Sequence, residues 1–461
     1  MATAIVLVVA LYLTGLTRMG MYSTDEPRYA DIGRAMARTG DWITPRLWGQ
    51  PWFEKPPLLY WMTATGFRLG LGTDLAPRLP VALLSVGFLA FFWWRLRQIF
   101  DEGVANCATA MLATTGGWLA YSHVAVTDLP VTVFFSVAVL WSLPDRQGGE
   151  PRRVAAAIAL GLAVLAKSVP PLVLFLPVLV LDRRNWRRWL AGWPLVAFLA
   201  VALPWHLIAT IRNGWNLPYV LFIEQQMGRF LNSSRQHGQP WWFYVPVFLV
   251  LLFPWFPLLP LLFRHVKEDR RARTLVSIVI VGLVFFSASM NKLPGYVLPL
   301  VPATCILTGL GLARSFRRER WLIAPTALLG TLPLAGSVFP EIAAHGLRIS
   351  QIPWSSVALG LAIGAVVGGA IALWLRSRAF VVAVVLSAAA FLSLEIELFP
   401  ALDKTASART LWSSSHPGCA PVLARGMLYG LYYYSGKQLP DCAIVDKNAG
   451  PFRGDAQTHQ R

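Results

Sequence analysis

The chain has 461 residues, of which 56% are hydrophobic and 14% are charged, and its formal net charge is +18. A soluble globular fold could not bury so much apolar area, so the composition excludes an ordinary soluble domain and predicts a polytopic membrane protein. The basic residues stand in short clusters between apolar runs, which is typical of cytoplasmic loops. Nucleic acid is therefore not an expected partner.

Apolar runs of about 20 residues are long enough to cross a bilayer, and they predict thirteen spans. Residues 1–21 lack a basic start and a small-residue cleavage site, so they are expected to be a retained first span. The fifth and sixth spans meet at "AKSVPP", where prolines break the helix. The predicted limits are 1–21, 76–96, 104–122, 127–143, 153–167, 168–182, 189–211, 240–263, 273–289, 294–313, 321–340, 354–375 and 379–398.

Charge orients these spans independently of hydropathy. With a cytoplasmic amino terminus, every inside loop is basic, as the positive-inside bias requires. These loops are "RLRQ", "DRQGGEPRR", "DRRNWRR", "RHVKEDRRAR", "RSFRRER" and "RSR". The outside then holds the segments 22–75 and 212–239 and the tail from residue 399, and an odd number of spans leaves the carboxyl terminus outside.

The outer segments are too long to be plain connectors. Residues 25–39 and 217–231 have the apolar spacing of amphipathic helices at the membrane surface, and in the first of them the arginines are expected to face away from Ile32 and Met36. The tail is polar and suits a strand, a helix and a strand. Cys419 and Cys442 in the tail fit either a disulfide or two free thiols, whereas Cys107 and Cys305 fall within spans and are expected to pack there.

No phosphate-binding loop, dinucleotide fingerprint, nucleophile elbow or zinc-spaced cysteine motif is present. Ionisable residues crowd the outer side instead, and charges at membrane depth are usually retained for a site. Each has a plainer explanation: an acid such as Asp128 caps a helix, a lysine snorkels, a lone histidine packs. The ionisable residues are Asp25, Glu26, Arg28, Glu54, Lys55, Asp128, Lys167, His206, Glu224, Arg229, Arg235 and Lys292.

An acid beside cations at a bilayer surface suits a substrate that carries a lipid-borne phosphate. Lysine and arginine donate charge-assisted hydrogen bonds to phosphate oxygens. A carboxylate deprotonates or orients an attacking hydroxyl, and the cations neutralise the phosphate that leaves. This is the chemistry of sugar transfer from a polyprenyl phosphate.

The block "DEPRYADIGRAMARTGDWITPRLWGQPWFEKPPLLYW" resembles the amino-terminal signature of bacterial glycosyltransferases related to the lipid A aminoarabinose transferase and to protein O-mannosyltransferases. "VTDLP", "PWHLIATIRNG", "FIEQQMGRFL", "GQPWWFYVPVFLVLLFPW" and "NKLPGYVLPLVPA" resemble later blocks in the same order. The resemblance covers roughly residues 22–305. It implies an all-α polytopic membrane protein with a GT-C glycosyltransferase fold of about 13 transmembrane helices: a catalytic domain over residues 1–398, with interfacial helices and the active site in the periplasmic loops 22–75 and 212–239, and a small periplasmic C-terminal α/β domain over 399–461.

The resemblance also implies roles. Asp25, Asp128 and Glu54 are the catalytic acids, with Glu54 also the expected ligand of a divalent metal ion. The expected donor phosphate contacts are Arg28, Lys55, Lys292 and Tyr296; further site candidates are Glu26, Glu224, Arg229 and His206. The family often has Glu-His where this chain has Glu224 and Gln225, so a zinc-like site would need His206 or His237 instead.

The expected activity is inverting sugar transfer from an undecaprenyl-phosphate donor to lipid A or another lipid or glycan acceptor, in the bacterial inner membrane with the site on the periplasmic side. Membrane lipids are the other expected partners. A protein O-mannosyltransferase is the nearest alternative. A lipid-linked sugar transporter or flippase would place its charges near the bilayer midplane and often shows two related halves. A non-catalytic lipid-binding subunit would need only the phosphate contacts.

Overall fold

The computed structural model of the chain describes residues 2–228, 238–316, 318–331, 354–375 and 378–442. Regular structure in these ranges is nearly all helical. The α-helices are α1 (Ala2–Leu13), α2 (Asp25–Thr39), α3 (Leu58–Arg68), α4 (Leu75–Ile99), α5 (Glu102–Ala113), α6 (Gly116–Ser122), α7 (Asp128–Ser142), α8 (Arg153–Lys167), α9 (Pro170–Leu181), α10 (Trp186–Leu190), α11 (Trp193–Asn213), α12 (Asn216–Pro218), α13 (Tyr244–Leu251), α14 (Arg270–Ala288), α15 (Val301–Ala313), α16 (Arg318–Leu329), α17 (Trp354–Leu375), α18 (Ala379–Ala406), α19 (Arg409–Ser415) and α20 (Arg425–Ser435).

Short irregular helices and one hairpin complete the described structure. Tyr219–Met227 forms a π-helix, and 3₁₀ segments cover Arg183–Asn185, Trp241–Phe243, Phe256–Phe263 and Pro294–Leu300. Strands β1 (Arg46–Leu47) and β2 (Gln50–Pro51) pair antiparallel. Trp48 and Gly49 both have positive φ, 51° and 83°, which is the geometry of the tight hairpin turn that matches strand twist.

Five of the described helices are long and apolar enough to cross a membrane, and a sixth span results if the bent pair Trp241–Leu251 and Phe256–Phe263 is counted as one. The prediction of a multi-pass membrane protein is confirmed, but the count of thirteen is not. One reason is that apolar runs break: 104–122 is divided between α5 and α6, and the halves of 240–263 are bent by 106°. Part of the predicted span 321–340 lies outside the described residues.

The predicted break at "AKSVPP" is present between α8 and α9. Helix α8 ends at Lys167, Ser168 has a φ of 64°, and Pro170 begins α9. Because proline lacks an N–H and cannot continue the preceding helix, the chain turns there. The turn leaves the Lys167 side chain beside the first turn of α7.

The outer segment 22–75 contains α2, the hairpin and α3, which pack together. Helix α2 covers the predicted range. Gly40 caps its carboxyl end, because a φ of 73° allows the Gly40 N–H to bond the Met36 carbonyl. Of the arginines expected on its polar face, Arg28 and Arg34 are both buried. They are buried because acidic side chains pair with them inside the fold.

The second outer helix is present in part. Helix α12 and the π-helix cover the predicted range 217–231 as far as Met227. The last residues of the range, from Arg229, lie outside the described residues, and so do Arg235 and His237 beyond it.

Helix α20 of the tail packs against α2. The predicted helix is present, whereas the two predicted strands are represented, in the described tail, by one parallel bridge between Ala420 and Asp441. Cys419 and Cys442 form a disulfide beside that bridge. Of the two possibilities that the sequence left open, the structure has the disulfide. Cys107 and Cys305 are buried, as expected.

Candidate active site

A network of acids and cations joins the two motifs of the first outer segment. The Arg28 guanidinium donates to Glu54 Oε2 at 2.8 Å, to Asp25 Oδ1 and to the Thr24 carbonyl at 2.8 Å. The Lys55 ammonium lies 3.3 Å from Glu54 Oε1. The "DEPR" and "FEKPP" motifs therefore meet at one place, and Arg28 connects them.

Arg28 keeps its charge in this network. Burial alone would lower the pKa of Arg28, but the neighbouring Glu54, Tyr29 and Asp25 together raise it above its ordinary value. Arg28 donates three of the five N–H groups of its guanidinium to described residues, so two N–H groups remain. Arg28 is thus a fixed cation with hydrogen-bonding capacity left over.

The three acids of this region differ in exposure, which separates their chemical possibilities. The side chain of Asp25 is 32% exposed, whereas those of Glu54 and Glu26 are 4% and 0% exposed. A general base must reach the proton that it abstracts. Of these three acids, Asp25 has by far the most exposed side chain, so it is the one best placed to reach a substrate.

Asp128, at the start of α7, belongs to a second pair. Lys167 Nζ donates to Asp128 Oδ1 at 2.5 Å and also lies 4.6 Å from the centre of the Tyr296 ring. Gly295 completes the arrangement, because a Cβ at that position would lie 2.3 Å from Asp128 Oδ1. The glycine of "KLPGY" therefore lets this loop approach the carboxylate.

Both pairs border open space, which forms two neighbouring pockets. A cavity of about 720 Å³ is lined by Asp25, Arg28, Glu54, Asp128 and Tyr296, among others. A smaller groove of about 80 Å³ is lined by Lys55 and Lys167 and by largely apolar side chains. Gln225 and Tyr296 line both. The Gln225 Oε1 atom is buried and has no partner among the described residues, so an acceptor for a hydroxyl stands at the junction.

Glu26 also lines the cavity, but its carboxylate is used inside the fold. Its carboxylate accepts two bonds from Arg78, both at 2.7 Å, and one each from the Tyr22 and Ala125 N–H groups. Arg78 donates its remaining N–H groups to the carbonyls of Leu16, Met19 and Gly20.

All five donors of this guanidinium are used, and the carboxylate accepts four bonds. We call Glu26 and Arg78 the buried clamp. The clamp joins four parts of the fold: the loop after α1, the start of α2, helix α4 and the loop before α7. Its two side chains have no hydrogen-bonding capacity left for a substrate. Glu26 is therefore a structural residue.

Other sequence candidates do not reach the cavity. The Lys292 ammonium donates to the Gln239 and Ser289 carbonyls, so it holds backbone, and it lines neither the cavity nor the groove. His206 bonds the Ala202 carbonyl at 2.7 Å within α11 and packs beside Trp205, away from the cavity. Glu224 does not line the cavity, although its neighbour Gln225 does.

The residues that the structure describes around Glu54 do not fit the expected metal ion. Arg28 and Lys55 approach both of its oxygens, so the carboxylate already faces two cations. Among the described residues, no group of three His, Cys, Asp or Glu side chains is close enough to hold a metal. No step of the chemistry below is assigned to a metal.

Two site residues did not follow from the sequence. Gln225 stands where the family often has histidine, and that alignment was the available signal. Arg425, from the tail, lines the cavity although it is about 400 residues from Asp25 in the chain. No local pattern indicates such a contact, because it depends on how the tail packs.

Comparison with known proteins identifies the family of the chain. Residues 54–208 match the family model described as dolichyl-phosphate-mannose-protein mannosyltransferase. The chain is 32% identical over 386 residues to an undecaprenyl phosphate-alpha-4-amino-4-deoxy-L-arabinose arabinosyl transferase of Pseudomonas aeruginosa strain UCBPP-PA14, covering 79% of this chain and 69% of that protein. It is 31% identical to the enzyme of the same description from Aeromonas salmonicida, covering 76% and 69%.

The fold also matches a crystal structure. ArnT from Cupriavidus metallidurans, solved bound to undecaprenyl phosphate, superposes with a TM-score of 0.76 and 24% identity, covering 98% of this chain and 88% of that one. This likeness establishes the GT-C architecture. With the sequence matches above, it follows that the chain belongs to the family of undecaprenyl phosphate-aminoarabinose arabinosyl transferases and is a polytopic membrane glycosyltransferase.

Proposed function

We propose that this protein transfers a sugar, with inversion, from an undecaprenyl-phosphate carrier to a lipid or glycan acceptor, with lipid A the foremost candidate. The observation that carries the proposal is that two neighbouring spaces share the lining residues Gln225 and Tyr296. The acid-lined cavity holds Asp25, and the adjoining groove offers two lysines among largely apolar walls. A phosphate on a prenyl chain needs this combination of surfaces.

The groove suits the carrier. Lys55 and Lys167 are the cations that face it, and Phe135, Leu174 and Phe286 give it an apolar wall. Ammonium groups neutralise a phosphate most effectively where water is scarce, and a prenyl chain is stabilised by apolar contact. The sugar attached to that phosphate then lies at the junction, beside Gln225 and Tyr296.

The reaction follows from these positions. An oxygen of the acceptor attacks the anomeric carbon from the Asp25 side, and a new carbon–oxygen bond forms. The bond between the anomeric carbon and the phosphate oxygen breaks, and its electron pair stays on the phosphate, which the lysines neutralise. Asp25 takes the proton of a hydroxyl acceptor, whereas a phosphate acceptor is already ionised and requires mainly positioning.

Each side chain around Asp25 then has a defined role. Arg28 holds Asp25 and Glu54 in place and faces the cavity with its remaining N–H groups. Glu54 fixes the orientation of Arg28 and Lys55. Asp128 and Lys167 position each other and the Tyr296 loop.

The site is proposed to face the periplasm of the inner membrane. The loops assigned to the other side are basic, and basic loops stay in the cytoplasm. The Cys419–Cys442 disulfide supports this side for the tail, because disulfides persist in oxidising compartments. Labelling of exposed tail residues such as Lys437 in intact spheroplasts tests the orientation, and failure to label would reverse it.

The experiment that tests the function uses purified protein in lipid nanodiscs. It is incubated with undecaprenyl-phosphate sugars, among them 4-amino-4-deoxy-L-arabinose and mannose, and with lipid A or a serine- and threonine-containing peptide as acceptor. Mass spectrometry of the products is expected to show an aminoarabinosyl lipid. Mannosyl peptide as the sole product would favour a protein O-mannosyltransferase, and the absence of any product from every donor would contradict the proposal.

A further inference from the structure

The tail is fastened to the helix that carries the site. Arg34 of α2 donates to the Tyr433 carbonyl at 2.8 Å, and its guanidinium lies 4.4 Å from the centre of the Tyr433 ring. The Tyr434 hydroxyl accepts from the Met21 N–H at 2.8 Å and donates to Asp74 at 2.7 Å. Buried polar contacts of this kind set the position of α20 relative to α2.

The first turn of α20 touches the chain just before Asp25. A Cβ added at Gly426 would lie 3.2 Å from the Ser23 carbonyl carbon, so the two backbones are in close contact. Ser23 itself has a φ of 64°, a left-handed conformation that a serine rarely adopts. Close contact of α20 with this turn places the start of the tail helix at the edge of the cavity.

Arg425 lies at that edge and lines the cavity. Its Nε donates to the Tyr429 hydroxyl at 2.8 Å. The Tyr429 ring lies 5.3 Å from the Arg425 guanidinium and 5.5 Å from the Arg28 guanidinium. One aromatic ring thus holds two cations at the same opening, and cation–π contact stabilises both.

The two ends of the site carry different cations. Lys55 and Lys167 face the prenyl groove, which Arg425 does not line. Arg28 also lines the cavity, but it holds Asp25 and Glu54 on the α2 side. Arg425 comes from another part of the chain and lies exposed on the tail side of the cavity, where the head group of an acceptor would approach.

We propose that Arg425 is a specificity-determining residue that binds an anionic group of the acceptor, such as a phosphate. The proposal rests on the proposed function and adds to it that the tail forms the acceptor side of the site. A guanidinium binds phosphate by paired, charge-assisted hydrogen bonds, which discriminate between charged and uncharged acceptors. Tyr429 orients that guanidinium.

The test separates acceptor binding from every other step. In Arg425→Gln, the KM for lipid A is expected to rise roughly tenfold, as the loss of a charge-assisted bond at an exposed site predicts. The KM for the donor and the rate at saturating lipid A are expected to stay within about twofold. Arg425→Lys is expected to recover part of the affinity. Lys437→Gln is the matched control, because it removes one positive charge from an exposed part of the same tail.

A second acceptor sharpens the result. Dephosphorylated lipid A is expected to bind the wild-type protein and Arg425→Gln with the same dissociation constant, because the group that Arg425 binds is gone. An unchanged KM for lipid A in Arg425→Gln would overturn the proposal, and so would a rise in the donor KM alone, which would place the arginine at the carrier phosphate. An equal loss for both lipid A forms, with a lowered melting temperature, would show a purely structural role.

Equilibrium binding of lipid A tests the inference even without turnover. If the wild-type protein transfers no sugar from any donor, the proposed function fails, and the binding measurement still decides about Arg425. Weaker binding of lipid A by Arg425→Gln, with equal binding of its dephosphorylated form, supports the inference. Equal binding of lipid A by both proteins contradicts it.

Discussion

Asp25 and Glu26 are adjacent acids at the start of one helix, yet they belong to different regions of the molecule. Asp25 is paired with Arg28 at the wall of the cavity, and a third of its side chain is exposed. Glu26 is fully buried in the clamp with Arg78, where every donor and acceptor is used. The comparison teaches that saturation of hydrogen bonds, more than the presence of a charge, separates a structural acid from one that is available for chemistry.

The clamp gives the largest expected effect. Arg78→Met would leave Glu26 buried without its cation, and breaking a buried pair from one side costs about 3–5 kcal/mol. We expect little folded protein in a detergent extract and a strongly lowered melting temperature in what remains. Arg97→Met on the same helix is the control, because Arg97 is exposed. A melting temperature for Arg78→Met equal to that of the control would show that the clamp is not structural.

The next largest effect is a loss of transfer activity on replacing Gly295, which lies on the cavity side of the comparison. Gly295→Ala places a methyl group 2.3 Å from Asp128 Oδ1 and 2.8 Å from the Tyr121 hydroxyl, so the loop or the carboxylate must move. A displacement of about 1 Å in an active site reduces turnover by about 100-fold. Gly87→Ala is the matched control, because a Cβ at Gly87 meets no atom within 4 Å. Full transfer activity of Gly295→Ala would remove Asp128 from the site.

The smallest expected effect is a loss of folding stability at alkaline pH. Burial raises the pKa of Tyr29, which contacts Glu54, and of Tyr433 in the tail. An unfolded tyrosine ionises near pH 10, whereas these two stay protonated in the folded protein. Their contribution to stability is complete below that pH and is lost above it, at up to about 1.4 kcal/mol per pH unit for each tyrosine.

Melting temperatures measured across this pH range are expected to fall above about pH 10, and Tyr29→Phe is expected to fall less steeply. The same slope in both proteins would show that Tyr29 ionises as easily in the folded state as in the unfolded state.

Sequence patterns predicted the features that depend on neighbouring residues. The limits of α2, the break after Lys167 and the grouping of Asp25, Arg28, Glu54 and Lys55 all follow from local composition, spacing and charge. The span count did not follow, because hydropathy marks apolar runs and does not show where a run bends or divides. The clamp was missed because Arg78 lies inside an apolar helix, and only packing reveals its partner.

The candidate site shows the same limit. Lys292 is a conspicuous charge before a span, but its ammonium is used by backbone carbonyls that the sequence does not identify. Arg425 had no signal, because its place at the cavity depends on contacts between α20 and a helix about 400 residues earlier. Residues that act through long-range packing were the ones that local patterns misassigned.

The most direct test of the account compares two aspartates on α2. Asp25 pairs with Arg28 and Asp31 pairs with Arg34, each three residues apart, but of these two acids only Asp25 lines the cavity. Both are replaced by asparagine, and sugar transfer to a hydroxyl acceptor, carrier binding and melting temperature are measured on each preparation. A hydroxyl acceptor is used because it needs the base.

For Asp25→Asn, we expect transfer to fall by about 100-fold or more, the range of general-base catalysis, while undecaprenyl phosphate still binds and the melting temperature stays near that of the wild-type protein. Asp31→Asn is expected to keep its turnover. Wild-type transfer by Asp25→Asn would contradict the central claim that this carboxylate carries the chemistry.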